Sequence, residues 1–316
     1  MDQAQGLRKI VETRAMDTRR RAVSGEAAGH SVLHAPRVIS VTSGKGGVGK
    51  TNIVGNLAVA FARMGKKVLI FDADLGLANI DIIFGLSPAY HMGHVIDGEK
   101  SLQEVMVEGP EGIRILPAGS GIAELTHLTE GQKLNLLSEF EALDEKLDIF
   151  LIDTGAGISS NVIYFNLAAD ECIIVVTDEP TSITDAYAMI KVMFTQHGTK
   201  HFKLLVNMVK DSMAAKSVYE NLSYVADRFL NGVLLEYIGY IPGDELMKKA
   251  VLSRKPIMSL YPGAESSKQF NKLAAGILES PRRHESDGNM KFFLQRFIGF
   301  RSSQMGKRQL RITNYE

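Results

Sequence analysis

Short runs of apolar residues recur along the chain, and they are continuous rather than alternating: RVISVTS, KVLIFDAD, IRILPAG, DIFLIDTG, CIIVVTD, FKLLVNMV and LEYIGYIP. A strand that is apolar at every position is buried on both faces. Between these runs lie segments whose apolar positions repeat with helical spacing, among them NIVGNLAVAFARMG, TEGQKLNLLSEFEALDEKL and TSITDAYAMIKVMFTQHG. The second opens with Thr129 and Gln132 at the spacing of a capping box. Strand, helix and strand in repetition predict an α/β fold: a doubly wound, mainly parallel sheet with helices on both faces. Its expected extent is residues 37–280.

The pattern changes at both ends. Residues 1–20 begin with Asp2 as a helix N-cap, followed by Ala4, Leu7 and Val11 on one face with Ile10 beside them, a short amphipathic helix. Residues 21–36 have no sustained period and read as a flexible linker, as do residues 281–289. MKFFLQRFIGF within residues 290–301, wound as a helix, gathers Met290, Phe293, Leu294, Phe297 and Ile298 on one face. Lys291, Gln295 and Arg296 lie around the other, and Phe292 falls off the pattern. A helix apolar and aromatic on one side and basic on the other suits a lipid interface, and the basic tail 302–316 adds attraction to anionic lipid. Packing of either helix on the domain itself is the alternative.

Composition sharpens this outline. Of 316 residues, 45% are hydrophobic, enough for a sizeable core, and the net charge is zero. The zero hides a division: residues 1–37 hold seven Lys/Arg against four Asp/Glu, and residues 282–316 hold eight against three. The body between them carries −8, so two basic appendages flank an acidic domain. The only cysteine, Cys172, lies in an apolar run, which excludes a disulfide framework or a thiolate metal cluster within one chain. The polar start lacks the apolar core of a signal peptide, and no apolar run reaches the ~20 residues of a membrane span. A cytoplasmic protein, at most peripherally bound to membrane, is expected.

The chemistry concentrates in VTSGKGGVGKTN. Gly44-Lys45-Gly46-Gly47-Val48-Gly49-Lys50-Thr51 fits the phosphate-binding loop G-x-x-x-x-G-K-[ST], directly after a predicted strand and at the start of a predicted helix. Glycines let backbone N–H groups converge on phosphate oxygens, and the helix N-terminus adds its positive dipole end. Lys50 is placed to reach the β- and γ-phosphates and Thr51 to ligate Mg²⁺. Carboxylates for that ion belong at the C-terminal ends of parallel strands, where Asp72 and Asp153 fall, with Asp74 two residues beyond the first. The loop holds a second lysine, Lys45, for which phosphate binding alone has no use.

With VTSGKGGVGKTN, DADLGLANID and IDTGAGI, the chain resembles the MinD/ParA family of deviant-Walker P-loop ATPases over about Val38 to Ile277. The resemblance implies ATP/ADP and Mg²⁺ as cofactors and an ATP-sandwiched homodimer in which Lys45 crosses to the partner's phosphates. It further implies that Asp74 orients the attacking water and that Asp72 and Asp153 hold the Mg²⁺ hydration shell. Gly157 would sense the γ-phosphate, and Asn207 and the loop at Pro242 would meet the adenine; Asn52 takes the place where division-site members tend to carry a second threonine. Together with DEPTSITDAY and the two terminal segments, Asn52 makes the chain similar to the branch that regulates flagellum number. There Asp2, Gln3, Ala4, Leu7 and Arg8 match a helix that stimulates an FlhF-type GTPase. A flagellar switch (C-ring) protein or a flagellar transcriptional regulator would be further partners, and the anionic inner face of the cell membrane the docking surface for Phe293, Leu294, Phe297 and Ile298. The alternatives are a division-site selector, which should lack DQAQGLR, and a DNA-segregating ATPase, which the −8 body disfavours because phosphate-backbone binding needs a positive face. An electron-transfer or metal-loading relative would need cysteines at the dimer seam.

Overall fold

Along each central strand, side chains alternate between two apolar layers, which is why the strands read as unbroken hydrophobic runs. The computed structural model describes residues 36–74, 79–119, 128–143 and 147–281. In chain order the elements are β1 (Arg37–Ser43), α1 (Lys50–Arg63), β2 (Val68–Ala73), three short helices α2 (Ile80–Phe84), α3 (Met92–Ile96) and α4 (Leu102–Val105), β3 (Val107–Glu108), β4 (Arg114–Leu116) and α5 (Glu130–Glu141). They continue with β5 (Ile149–Ala156), α6 (Ser160–Ala168), β6 (Glu171–Val176), α7 (Pro180–His197), β7 (His201–Val209), α8 (Ser212–Phe229), β8 (Leu234–Pro242), α9 (Glu245–Leu252), α10 (Ile257–Leu260) and α11 (Glu265–Glu279).

The strands form one sheet in the order β3-β4-β2-β5-β1-β6-β7-β8, parallel throughout except for the β3–β4 pair. β1 lies near the centre, where the chain stops building the sheet to one side and begins on the other; such a reversal opens a crevice at the strands' C-terminal ends. Ile39, Val41, Ile70, Leu151 and Val175 point to a layer shared with α1, α10 and α11. Phe71, Phe150 and Ile152 on one half and Ile174, Leu204 and Val206 on the other point to the opposite face, under α3, α5, α7 and α8.

The doubly wound architecture is the expected one. The capping box at Thr129 forms, with Thr129 Oγ1 accepting from the Gln132 N–H at 3.3 Å, although the helix stops at Glu141, short of the periodic segment. Two differences have physical causes. β3, only two residues long, carries no period to read, and the short helices α2 to α4 hold too few turns to show one. At the opposite end of the sheet from the crevice, Arg37 at the start of β1 pairs with buried Glu171 and donates to Ser280 Oγ at 2.7 Å, fastening the first strand to the end of the last helix. The segments expected to be helical in residues 1–20 and 290–301, with their linkers, lie outside the described residues.

Candidate functional site

Residues Gly44–Gly49 bridge β1 and α1 at the central crevice, and their glycines are there for space as much as conformation. A Cβ on Gly44 would sit 2.2 Å from the backbone of Asp185 in α7, so no larger residue fits between the loop and that helix. Gly49 has φ 88°, in the left-handed region, and a Cβ there would lie 2.5 Å from Asn207 Nδ2. Gly44→Ala is therefore expected to displace the loop from α7, destabilising the protein by about 1–3 kcal/mol and weakening binding of a phosphate-bearing ligand about a hundredfold. A thermal melt and a nucleotide titration read the two effects, and wild-type affinity would show that the close approach is immaterial.

The two lysines take opposite directions. Lys50, buried in the first turn of α1, donates from Nζ to Ser43 Oγ at 3.0 Å. Burial holds its pKa below the usual lysine value, and the nearby Asp153 and Asp74 carboxylates oppose that shift. Ser43 in turn donates to the Lys45 carbonyl at 2.6 Å, so this hydroxyl ties the loop's lysine to its backbone. The Lys45 side chain leaves the loop on the solvent side, where Nζ is paired with Glu179 and lies 2.9 Å from Thr181 Oγ1, at the start of α7. This partnership is invisible locally: DEPTSITDAY gives no sign that Glu179 and Thr181 would meet a lysine 134 and 136 residues earlier.

The carboxylates converge as strand register requires, since Asp72 of β2 is the direct neighbour of Asp153 of β5. Asp72 Oδ2 accepts from the Asn79 and Ile80 N–H groups at 3.0 and 3.1 Å, and Oδ1 accepts from the Asp74 N–H at 3.2 Å. Burial raises its pKa despite those three bonds. Asp153 is held higher than usual by burial and by Asp72 beside it, with the Thr51 hydroxyl and Lys50 pulling the other way. Its Oδ1 is buried with no hydrogen-bond partner among the described residues. An unsatisfied buried carboxylate oxygen facing a second acid is an arrangement completed by a cation or its water shell. Mg²⁺ fits: Thr51, Asp72 and Asp153 would hold the ion or its waters, and the ion would neutralise charge on phosphate oxygens.

Five other expected residues sit at the ends of these strands or on α1. Asp74 extends past β2 towards β5, its Oδ1 3.5 Å from where a Cβ on Gly155 would stand. The Gly157 N–H donates to the Ser43 carbonyl at 2.9 Å. Asn207 donates from Nδ2 to the Val48 carbonyl at 2.7 Å and so braces the loop. Pro242 ends the neighbouring strand β8, with the Gly243 N–H bonded to the Val209 carbonyl at 2.9 Å. Asn52 lies in the first turn of α1, its carbonyl accepting from Asn56 Nδ2 at 2.7 Å.

A phosphate loop on the central strand, a buried carboxylate pair and a parallel sheet define a P-loop NTPase. The chain belongs to the MinD/ParA family of these enzymes, which are ATPases: the ParA family model described as NUBPL iron-transfer P-loop NTPase matches residues 34–278. The chain is 42% identical to the antiactivator FleN of Pseudomonas aeruginosa over 266 residues, covering 84% of this chain and 95% of that protein. It is 35% identical over 272 residues to the flagellum site-determining protein YlxH of Helicobacter pylori, covering 84% of this chain and 90% of that one. Its fold matches the septum site-determining protein MinD of Pyrococcus horikoshii complexed with Mg-ADP, with TM-score 0.62, 25% identity, and coverage of 77% of this chain and 96% of the other.

Proposed function

We propose that this protein is an ATP-driven dimerisation switch that regulates the number and placement of flagella. The observation that carries the proposal is the divergence of the two lysines: Lys50 turns inward beside Asp153 and Asp74, whereas Lys45 stands at the solvent edge on Glu179 and Thr181. A cation held outside its own phosphate cradle is positioned for someone else's. In a face-to-face homodimer, Lys45 leaves Glu179 and reaches the partner's nucleotide, where it neutralises charge on the phosphoryl oxygens. Its exposed ion pair is a weak tether, since such pairs contribute ~0–1 kcal/mol.

Within each subunit Lys50 binds the β- and γ-phosphates, Asp74 orients the attacking water, and Gly157 exchanges its bond to Ser43 for one to the γ-phosphate. Asn207 and the Pro242 loop meet the adenine. Hydrolysis removes the group that both subunits hold, and the dimer separates. The likeness to FleN and YlxH supports the flagellar assignment. A flagellar switch protein or a flagellar transcriptional regulator is the downstream partner, in the cytoplasm or at the inner face of the membrane, where Phe293, Leu294, Phe297 and Ile298 attach the dimer.

Asp2, Gln3, Ala4, Leu7 and Arg8 form the contact with an FlhF-type GTPase. Deletion of residues 1–20 should leave basal ATP hydrolysis within about twofold of wild type while removing stimulation of GTP hydrolysis, since no residue of the phosphate site falls in that segment. Parallel phosphate-release assays on the two enzymes measure it, and stimulation that survives the deletion places the contact elsewhere.

A further inference from the structure

The body from Val38 to Pro281 carries −8, yet residues 248–255, Lys-Lys-Ala-Val-Leu-Ser-Arg-Lys, are basic and apolar together. They form the last turns of α9 and the bend that follows. Ala250 alone of these eight is buried. Leu252 is 84% exposed and Val251 42%. Lys248 lies one helical turn before Val251 and Leu252, Lys249 lies one turn before Leu252, and Arg254 and Lys255 follow after Ser253. Lys248 pairs with Glu245 at 2.7 Å; among the described residues Lys249, Arg254 and Lys255 have no acidic partner.

The bend itself favours a different residue. The Lys255 N–H bonds the Ala250 carbonyl at 3.1 Å, closing the end of α9, and Arg254 takes φ 51°, a left-handed position that helices usually end on with glycine. The Arg254 carbonyl packs against Gly85, where a Cβ would lie 3.2 Å away, so the bend abuts the end of α2, on which Ile82 is 48% exposed. Local conformation argues against arginine here, and no described partner argues for it.

We propose that this bend is a second membrane contact, in which Leu252 and Val251 enter the interfacial layer of an anionic bilayer while Lys248, Lys249, Arg254 and Lys255 meet lipid phosphates. The proposal rests on the membrane association proposed above and adds to it a contact from the globular body, separate from residues 290–301. Charge complementarity selects an anionic surface, and the apolar tip selects lipid over nucleic acid, which gains nothing from an exposed leucine.

The chain contains no tryptophan, so Leu252→Trp places a single reporter at the tip. With ATP and Mg²⁺, full-length Leu252→Trp protein mixed with phosphatidylglycerol–phosphatidylcholine vesicles should show a blue-shifted emission that brominated lipid quenches. Lys249→Glu/Arg254→Glu/Lys255→Glu should lower vesicle affinity at least about tenfold. Arg254→Gly should lower it by a smaller factor with a melting temperature equal to or above wild type, because glycine relaxes the bend. Wild-type protein that fails to sediment with the vesicles contradicts the membrane reading as a whole. Wild-type protein that sediments while the Leu252→Trp emission is unshifted contradicts the tip alone, as does a shift produced by a synthetic Glu- and Leu-rich amphipathic peptide and not by vesicles, which points to a protein partner.

Discussion

Asp74→Ala protein is expected to bind ATP and hydrolyse it at least about a hundredfold more slowly than wild type, the usual cost of losing a residue that positions or deprotonates the nucleophile. Its ATP-bound dimer should accumulate. The substitution keeps the backbone part of this position: the Asp74 N–H, which alanine retains, supports Asp72 Oδ1. The side chain contributes charge near Lys50 and reaches towards Gly155 at the end of β5. Single-turnover hydrolysis together with sedimentation velocity reads both effects, and rapid turnover by Asp74→Ala removes this residue from the chemistry.

Lys45→Ala should have the opposite consequence, with ATP affinity within about threefold of wild type and ATP-dependent dimerisation lost. The first half follows from Lys50 and the loop backbone, which hold the subunit's own phosphates whether or not Lys45 is present. The second follows if two like-charged triphosphates face one another in the dimer, where a missing cation on each side leaves charge uncompensated at close range and low dielectric. Inside the monomer, the Lys45 ammonium bonds Glu179 and Thr181 at the surface, and alanine costs little stability by giving up those bonds. A melting temperature close to wild type is the accompanying control.

Much of this site was legible because its logic is local. The phosphate loop is eight consecutive residues between a strand and a helix, and Asp72 and Asp153 end apolar runs that parallel pairing brings side by side. What escaped the sequence depends on strand order. Lys45 meets Glu179 and Thr181 because β6, which leads into α7, lies beside β1, and Asn207 braces Val48 because β7 ends beside the loop. No periodicity encodes pairings more than a hundred residues apart. Arg254 illustrates the converse: its sequence context, SRKP, looks like an ordinary polar bend, and only its φ of 51° and the approach of Gly85 set it apart.

The central claim is that Lys50 serves the subunit's own nucleotide and Lys45 the neighbour's, and mixing two inactive variants tests it. Lys45→Ala protein should bind nucleotide but fail to reach across, and Lys50→Ala protein should lose its own phosphate grip while retaining Lys45. ATP hydrolysis by either alone should fall at least about a hundredfold. If Lys45 acts in trans, the mixture recovers hydrolysis well above the sum of the separate proteins, from heterodimers in which nucleotide on the Lys45→Ala subunit meets the other subunit's Lys45. If the mixture does no better than that sum while wild-type subunits demonstrably exchange under the same conditions, Lys45 does not act across the interface.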